Sequence, residues 1–230
     1  MFRIFFYQPI INALFFIFNF AKDYGLAIIL TTVIVRMILW PLFTQNEYLQ
    51  KKIKKIQPEI KKIQAENKKD PQKQTALLLE IYKKNKVNPS FAFMFAIVQV
   101  FVIFGLYSAF TISVRPDFVN FLYEPIKVLI STPANYSFLG LVDLSKPSLL
   151  FAIITTGVQL LQGFVTIKYL PKNDPQRNML LVFTFVFPVI FILNYKHFKS
   201  VIFLYWSVLT IVNIIQTLYI RHKMKKTQHE

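Results

Sequence analysis

Long uncharged, apolar runs alternate with shorter charged segments along this chain. Runs of about 20 residues without Asp, Glu, Lys or Arg cover residues 88–114, 147–167, 178–195 and 200–220, and residues 26–43 form a fifth run interrupted by Arg36. A helix of about 20 apolar residues crosses the ~30 Å hydrocarbon core of a bilayer. The pattern therefore predicts an all-α, polytopic membrane protein with five transmembrane helices.

The predicted organisation is a single domain built from these runs and the segments between them. An interfacial amphipathic helix is predicted at residues 1–22. Transmembrane helices are predicted at residues 24–44, 89–113, 147–168, 178–195 and 200–220. The cytoplasmic segments are a helical hairpin at residues 45–87, a loop at 169–177 and a basic tail at 221–230, and residues 114–146 form an extracytoplasmic loop with a short helix near residues 119–130.

The N-terminal helix could be read as a sixth span, because residues 4–21 are uncharged. However, Gln8, Asn12 and Asn19 are spaced i, i+4 and i+11 and form a narrow polar stripe on an apolar helix. Such a stripe favours a helix that lies in the outer membrane interface. Arg3 and Lys22 flank both ends, so charge does not decide between the two positions.

Positive charge is concentrated in segments next to the apolar runs. The net charge is +16, and residues 45–87 contain twelve lysines. Because cytoplasmic loops carry the excess of Lys and Arg, this distribution predicts a cytoplasmic C-terminus and an external N-terminus. Charge placed beside spans also favours anionic lipid over DNA as a partner.

The lysine-rich segment has a helical pattern of its own. Four isoleucines mark one apolar helix face by their spacing of 3, 4 and 3: Ile53, Ile56, Ile60 and Ile63. Asp70 and Pro71 break the pattern before a second apolar face begins at Leu77. These features predict two packed helices, the first of which Pro58 should kink or split.

Arg36 is the charged residue that interrupts the first apolar run. A charged side chain at the bilayer centre costs about 2.5–3.5 kcal/mol on insertion scales, so such residues face a bundle interior or a water-filled cavity. The five runs contain no Asp or Glu to neutralise it. Arg36 lies seven residues before Phe43, about 10 Å along a helix, and therefore in the cytoplasmic half of the membrane.

Other polar residues recur at helical spacing within the apolar runs. Hydrogen bonding between packed spans explains such residues individually, but around a buried arginine they favour a hydrated, positively charged cavity open toward the cytoplasm. Besides Arg36, the predicted lining residues are Thr32, Gln99, Gln159, Gln162, Trp206, Thr210, Asn213 and Gln216.

The sequence argues against an enzyme. All three histidines, His197, His222 and His229, lie outside the apolar runs, so a His-dependent nucleophile or metal site within the membrane is not expected. The chain has no Cys and no Gly-rich phosphate loop. We therefore predict no cofactor and no metal, and a function in binding and passage.

The chain resembles the YidC/Oxa/Alb family of membrane protein insertases over most of its length. The first core span of that family resembles YGLAIILTTVIVRMILWPL, in which Arg36 matches the family's groove arginine. The hairpin and second span match at QPEIKKIQ, DPQK, Asn88-Pro89, Gln99 and Leu106-Tyr107. The last two spans match at Pro188, Leu204-Tyr205-Trp206 and Gln216.

The resemblance implies a short insertase and chaperone of a bacterial plasma membrane, which inserts newly made membrane proteins and helps them fold. The predicted cavity would be its groove, open to the cytoplasm and to lipid. Nascent membrane proteins and membrane lipid would be its partners, and the sequence leaves open a ribosome, targeting factors and a Sec translocon. The sequence departs from the family at residues 195–199, where the usual Pro/Gly segment is missing. By this resemblance we also expect a member without the large extracytoplasmic domain of Gram-negative members and without the lipoprotein cysteine common in Gram-positive members.

Two functions of other classes stay open at this point. A small anion channel or transporter would also use a buried arginine, although it needs a polar path to both faces, and here the polar residues thin out toward the outside. A structural assembly factor acting through its hairpin would not need Arg36.

Overall fold

The computed structural model describes residues 7–129, 135–168 and 176–226. Over these ranges the chain forms nine α-helices and one two-stranded antiparallel sheet, so the all-α prediction is confirmed. The helices are α1 (Gln8–Ala21), α2 (Tyr24–Ile38), α3 (Trp40–Glu66), α4 (Pro71–Lys84), α5 (Pro89–Ser113), α6 (Glu124–Leu129), α7 (Leu149–Lys168), α8 (Gln176–Leu193) and α9 (Ser200–Lys226). Short 3₁₀ helices cover Phe118–Phe121 and Tyr195–His197, and the strands are β1 (Ser137–Phe138) and β2 (Val142–Asp143).

Parts of four predicted segments lie outside the described residues. These parts are residues 1–6 of the interfacial helix, 130–134 of the extracytoplasmic loop, 169–175 of the cytoplasmic loop and 227–230 of the tail, which include His229. The described part of the predicted tail continues α9 as a helix to Lys226.

Within the described ranges, three helices are long and apolar enough to cross a membrane. The qualifying stretches are Phe93–Ser113 of α5, Leu149–Lys168 of α7 and Ser200–Lys223 of α9, and α2 with α3 passes as a fourth if the pair forms one broken span. Large apolar side chains such as Phe93, Ile153 and Ile211 are exposed on these helices, as expected for surfaces that face lipid. The polytopic membrane class is confirmed, and the number of five spans stays a prediction.

The first apolar run is interrupted at Leu39, before its predicted end at residue 44. Proline lacks the N–H that an interior helical position donates, but it fits the first turn of a helix. Pro41 accordingly lies in the first turn of α3, which begins at Trp40 and continues through Pro58 to Glu66. The first hairpin helix therefore begins before residue 45, and Pro58 does not split it.

The chain folds as two compact units, which we describe separately. One contains the described residues up to Met37 and from Val102 onward, and the other contains Ile38–Phe101. In the second unit, Asp70 caps α4 by accepting a 2.9 Å hydrogen bond from the Lys73 N–H. A small apolar core joins α3 to α4 and to the start of α5: Leu49, Ile53, Ile56, Ile60, Leu78, Ile81, Tyr82, Val87 and Phe91. The predicted helical hairpin is therefore confirmed.

The core of the first unit gathers at one end of its helices. The side chains of Phe15 in α1, Tyr24 in α2, Phe110 in α5 and Phe203 in α9 have no exposed surface there. The rings of Phe15 and Phe118 stack with centroids 4.6 Å apart. This aromatic core occupies the ends of α2, α5 and α9 that the charge distribution predicts to be extracytoplasmic.

Asn12 belongs to this core and not to an exposed polar stripe. It is 4% exposed. Its Nδ2 donates to the Phe121 carbonyl at 3.1 Å, and its Oδ1 accepts from the Tyr123 N–H at 2.6 Å. A buried backbone that lacks regular partners needs such side-chain bonds, so Asn12 joins α1 to the loop that follows α5.

That loop contains a β-hairpin that the sequence pattern did not predict. Leu139 and Gly140 both have positive φ angles, 53° and 70°, as a type I′ turn requires. Asp23 accepts a 2.6 Å hydrogen bond from the Leu139 N–H, which ties the turn to the start of α2. Phe138 packs so closely on Gly25 that a Cβ at Gly25 would overlap its ring.

The carboxylate of Asp143 accepts hydrogen bonds from the N–H and the hydroxyl of Ser145 at the end of this hairpin. Burial acts to raise the pKa of Asp143, but hydrogen bonds from Ser145 and Lys146 outweigh burial and hold the pKa below its ordinary value. Because the pKa is lower in the folded state, the ionised carboxylate stabilises the hairpin at pH values above the unfolded pKa of about 3.9. This contribution is lost as the pH falls through the folded pKa.

Ser145→Ala should raise the pKa of Asp143 in a carboxyl NMR titration, because it removes a hydrogen bond to the ionised form. An unchanged titration midpoint would contradict the role of Ser145.

The contact between α7 and α8 gives a prediction of stability. A Cβ added to Gly163 would overlap the side chain of Thr184, whereas a Cβ at Gly157 on the same helix would meet open space. Overpacking a close contact typically costs about 1–3 kcal/mol. We expect Gly163→Ala to lower the free energy of unfolding in detergent by this amount and Gly157→Ala to leave it within about 0.5 kcal/mol.

Equal effects of the two alanines would mean that helix propensity, and not the α7–α8 contact, determines the result.

Candidate functional site

Arg36 lies on α2 within the first unit and is 0% exposed. Its Nη2 donates a 2.6 Å hydrogen bond to Oδ1 of Asn213 on α9, which is 177 positions away in sequence. Short distances of this kind are typical of charge-assisted hydrogen bonds. The bond joins two helices through the one charged group of the first apolar run. The guanidinium is fully buried in this structure, and the cavity around it stays a prediction.

Tyr205 is a neighbour of Arg36 that sequence reasoning about the site missed. It is fully buried on α9, within electrostatic range of Arg36. Its ring packs on Phe110 with centroids 5.4 Å apart. A helical spacing of eight residues separates Tyr205 from Asn213, which places both on the same face of α9 and is the signal that could have identified it.

The two predicted threonines bond within their own helices. Thr32 Oγ1 donates to the Ile28 carbonyl at 2.8 Å, and Thr210 Oγ1 donates to the Trp206 carbonyl at 2.7 Å. Both side chains are almost fully buried. A hydroxyl that bonds the carbonyl four residues earlier is a common way to satisfy Thr in a helix, so neither has its proton available to a ligand.

On α7, Thr155 precedes Gln159 and Gln162 at helical spacing and makes a helix–helix contact. Thr155 Oγ1 lies 3.0 Å from the Phe203 carbonyl and 2.9 Å from Ser207 Oγ. Thr155 and Ser207 are both buried. These bonds hold α7 against α9, and Gln159 lies one turn further along α7.

Two of the predicted glutamines have buried polar atoms that lack a hydrogen-bond partner among the described residues. Gln216 is 2% exposed, and within the described part of the chain neither of its amide atoms has a hydrogen-bond partner. The same holds for Nε2 of Gln159. Buried polar atoms are rarely left unsatisfied, so these amides are candidates for binding water or a polar ligand. Gln216 is three residues after Asn213 and shares its face of α9.

Three further predicted residues, Trp206, Gln162 and Gln99, lie on α9, α7 and α5. Trp206 is half-buried, and the centroid of its ring lies 5.5 Å from the ring centroid of Phe191 on α8. Gln162 is half-buried on α7. Gln99 belongs to the second unit, where its Oε1 is buried and has no hydrogen-bond partner among the described residues. The structure thus joins Arg36 directly to Asn213, whereas the lining roles of the other residues stay predictions.

The bond between Arg36 and Asn213 should be measurable as a coupling energy. A hydrogen bond to a charged group contributes about 1.5–3 kcal/mol. We expect Asn213→Leu to destabilise the protein by more in the Arg36 background than after Arg36→Met, with a difference of that size in unfolding by SDS from detergent micelles. Thr210→Val, which removes a hydroxyl bonded within its own helix, should show no coupling to Arg36. Additive effects of Arg36→Met and Asn213→Leu would contradict the bond.

Comparison with known proteins places the chain in a family. The model of the 60Kd inner membrane protein family matches residues 16–228. The chain is 29% identical over 216 residues to a protein named membrane protein insertase YidC from Citrifermentans bemidjiense, covering 93% of this chain and 36% of the relative. It is 30% identical over 234 residues to the protein of the same name from Caulobacter vibrioides, covering 98% of this chain and 37% of the relative.

A solved structure supports the same assignment. The crystal structure of an active YidC insertase with its first transmembrane domain resolved matches with a TM-score of 0.60 and 26% identity, covering 93% of this chain and 46% of that one. This chain therefore spans less than half the length of these relatives. The resemblance found in the motifs is confirmed, and the chain belongs to the 60Kd inner membrane protein family.

Proposed function

We propose that this chain is a membrane protein insertase, which moves polar flanks of newly made membrane proteins across the bilayer. The observation that carries the proposal is the buried guanidinium of Arg36, held by Asn213 inside apolar helices. The relatives named membrane protein insertase YidC support the same activity. Burying a permanent cation in a membrane is costly, so a functional role explains Arg36 better than packing does.

The neutral partner of Arg36 suggests how a substrate is received. Asn213 satisfies part of the guanidinium without neutralising its charge. A carboxylate bonds a guanidinium more strongly than an amide does, and with two parallel bonds. An acidic residue in a passing segment would therefore displace Asn213 and gain an attraction that the low dielectric strengthens. The site would accept acidic flanks in preference to basic ones.

The glutamines would extend this path. Gln216 on α9 and Gln159 on α7 carry buried amide atoms whose hydrogen bonds are open within the described residues. Polar backbone groups of an unfolded flank need such partners in a membrane. The exposed apolar faces of α7 and α9, which include Ile153 and Ile211, would guide the apolar part of the substrate into lipid. In this proposal Thr32, Gln99, Gln162, Trp206 and Thr210 border the path.

The proposed topology and partners follow from charge. The lysine-rich hairpin and the C-terminus would be cytoplasmic and the N-terminus external. Nascent membrane proteins and lipid would be the partners of the spans. The hairpin would meet a ribosome or targeting factors at the cytoplasmic face, and a Sec translocon would be a partner within the membrane.

Insertion into proteoliposomes tests the proposal. We expect the wild type to insert a single-span protein with an acidic external flank, and Arg36→Gln to slow insertion at least about tenfold, equivalent to about 1.4 kcal/mol of barrier. Arg36→Lys keeps the charge and should retain part of the activity. Ile34→Ala, which alters an exposed side chain on the same helix, is the matched control and should insert normally.

The alternatives give different results in the same liposomes. If the wild type inserts a substrate with a neutral flank as fast as one with an acidic flank, the proposed role of Arg36 is contradicted. Chloride flux through the wild type without insertion would instead establish an anion channel. Normal insertion by Arg36→Gln would leave the family activity intact but remove the arginine from it.

A further inference from the structure

We propose that a cleft at the base of the helical hairpin binds the phosphate group of an anionic lipid. The cleft has a volume of about 300 Å³ and lies entirely within the second unit. It is formed where the first part of α3 meets the connection between α4 and α5. The lining residues that bear on its chemistry are Tyr48, Leu49, Lys52, Lys86, Asn88 and Phe91.

Two lysines give the cleft a positive charge. Lys52 comes from α3, and Lys86 comes from the connection that follows α4. Both side chains are exposed, and neither forms an ion pair with any residue in the described ranges. Lys86 is held at its place by a left-handed backbone, with φ of 50°, and by the 2.9 Å bond from the Val87 N–H to the Tyr82 carbonyl. Two ammonium groups from different segments therefore line one concave site, and the described residues that line it include no carboxylate.

The start of α5 adds to this potential. Asn88 Oδ1 accepts a 3.0 Å hydrogen bond from the Ser90 N–H, so it caps the helix. The 25-residue α5 thus directs the positive end of its dipole toward the residues that line the cleft. An anion in the cleft would be attracted by Lys52, Lys86 and the helix terminus together.

The apolar walls and the level of the cleft favour a lipid over other sources of phosphate. Leu49 and Phe91 provide apolar surface beside the lysines, which a free phosphate or an RNA backbone would not use. The stretch of α5 that is long and apolar enough to span a membrane begins at Phe93, two residues after Phe91 of the cleft. The half-exposed ring of Tyr48 suits the headgroup level, where tyrosine is enriched. The phosphodiester of a lipid such as phosphatidylglycerol lies at the same level.

The site would anchor the base of the hairpin to the membrane surface and leave the rest of its lysines for other partners. It does not depend on the insertase activity, so its failure would leave the proposed function standing. Lys52 and Lys86 are exposed, so their replacement by Gln should not disturb folding, which circular dichroism would verify.

Native mass spectrometry of the full chain in detergent tests the site. We expect phosphatidylglycerol to bind the wild type more tightly than zwitterionic phosphatidylcholine does. Lys52→Gln with Lys86→Gln should weaken phosphatidylglycerol binding about tenfold or more, since each lysine near an anionic surface contributes appreciably. Lys55→Gln with Lys69→Gln removes the same charge from exposed positions outside the cleft and should change binding less than about twofold.

Several results would overturn the proposal. Equal weakening in both double variants would mean that diffuse charge attracts the lipid and that the cleft is not a site. Unchanged binding after Lys52→Gln with Lys86→Gln, or equal binding of the two lipids, would exclude it as well. Displacement of the lipid by inorganic phosphate or by an RNA oligonucleotide at low millimolar concentration would assign the cleft to those ligands instead.

Discussion

The guanidinium of Arg36 imposes the constraint on which the arrangement of the first unit depends. A permanent cation inside an apolar helix needs polar partners from elsewhere in the chain, and Asn213 of α9 supplies one at 2.6 Å. This requirement brings together two helices that are far apart in sequence. Because the partner is a neutral amide, the positive charge is held in place but not cancelled. In the proposed function, this charge would receive an anionic group of the substrate.

Around this bond the first unit combines a tightly packed end with a polar middle. Aromatic side chains of α1, α2, α5 and α9 fill the end that is predicted to be external, and Asn12 and Asp23 attach the intervening loop and β-hairpin to it. Toward the other end, Arg36, Asn213 and Gln216 replace the aromatic core on α2 and α9. A rigid base of this type would keep the polar residues in register while lipid or substrate contacts change.

The second unit also combines positive charge with apolar surface, but its charge lies on a helical hairpin. Its lysines are distributed over a small hairpin whose apolar core is formed largely by aliphatic residues of α3 and α4. Most of this charge is spread over exposed faces, but the cleft beside Lys52 and Lys86 concentrates it next to apolar surface. That combination matches the boundary between headgroups and hydrocarbon, where a lipid offers both an anion and an apolar chain.

The sequence by itself determined the membrane class, the helical hairpin, the start and end of α5 and the exceptional status of Arg36, because hydrophobic periodicity and charge are local properties. Asn213 was predicted as a site residue from its spacing alone. Only the tertiary structure decided that it bonds Arg36, that Thr32 and Thr210 bond their own helices, and that Tyr205 is buried within electrostatic range of Arg36. The break at Leu39 was readable from Pro41, whereas the β-hairpin was not, since its turn is Leu139-Gly140 without a strong hairpin signal. Spacing along the chain shows which residues lie on the same face of a helix. It does not show whether a polar side chain bonds its own helix, another helix or a ligand, because that depends on contacts between segments far apart in sequence.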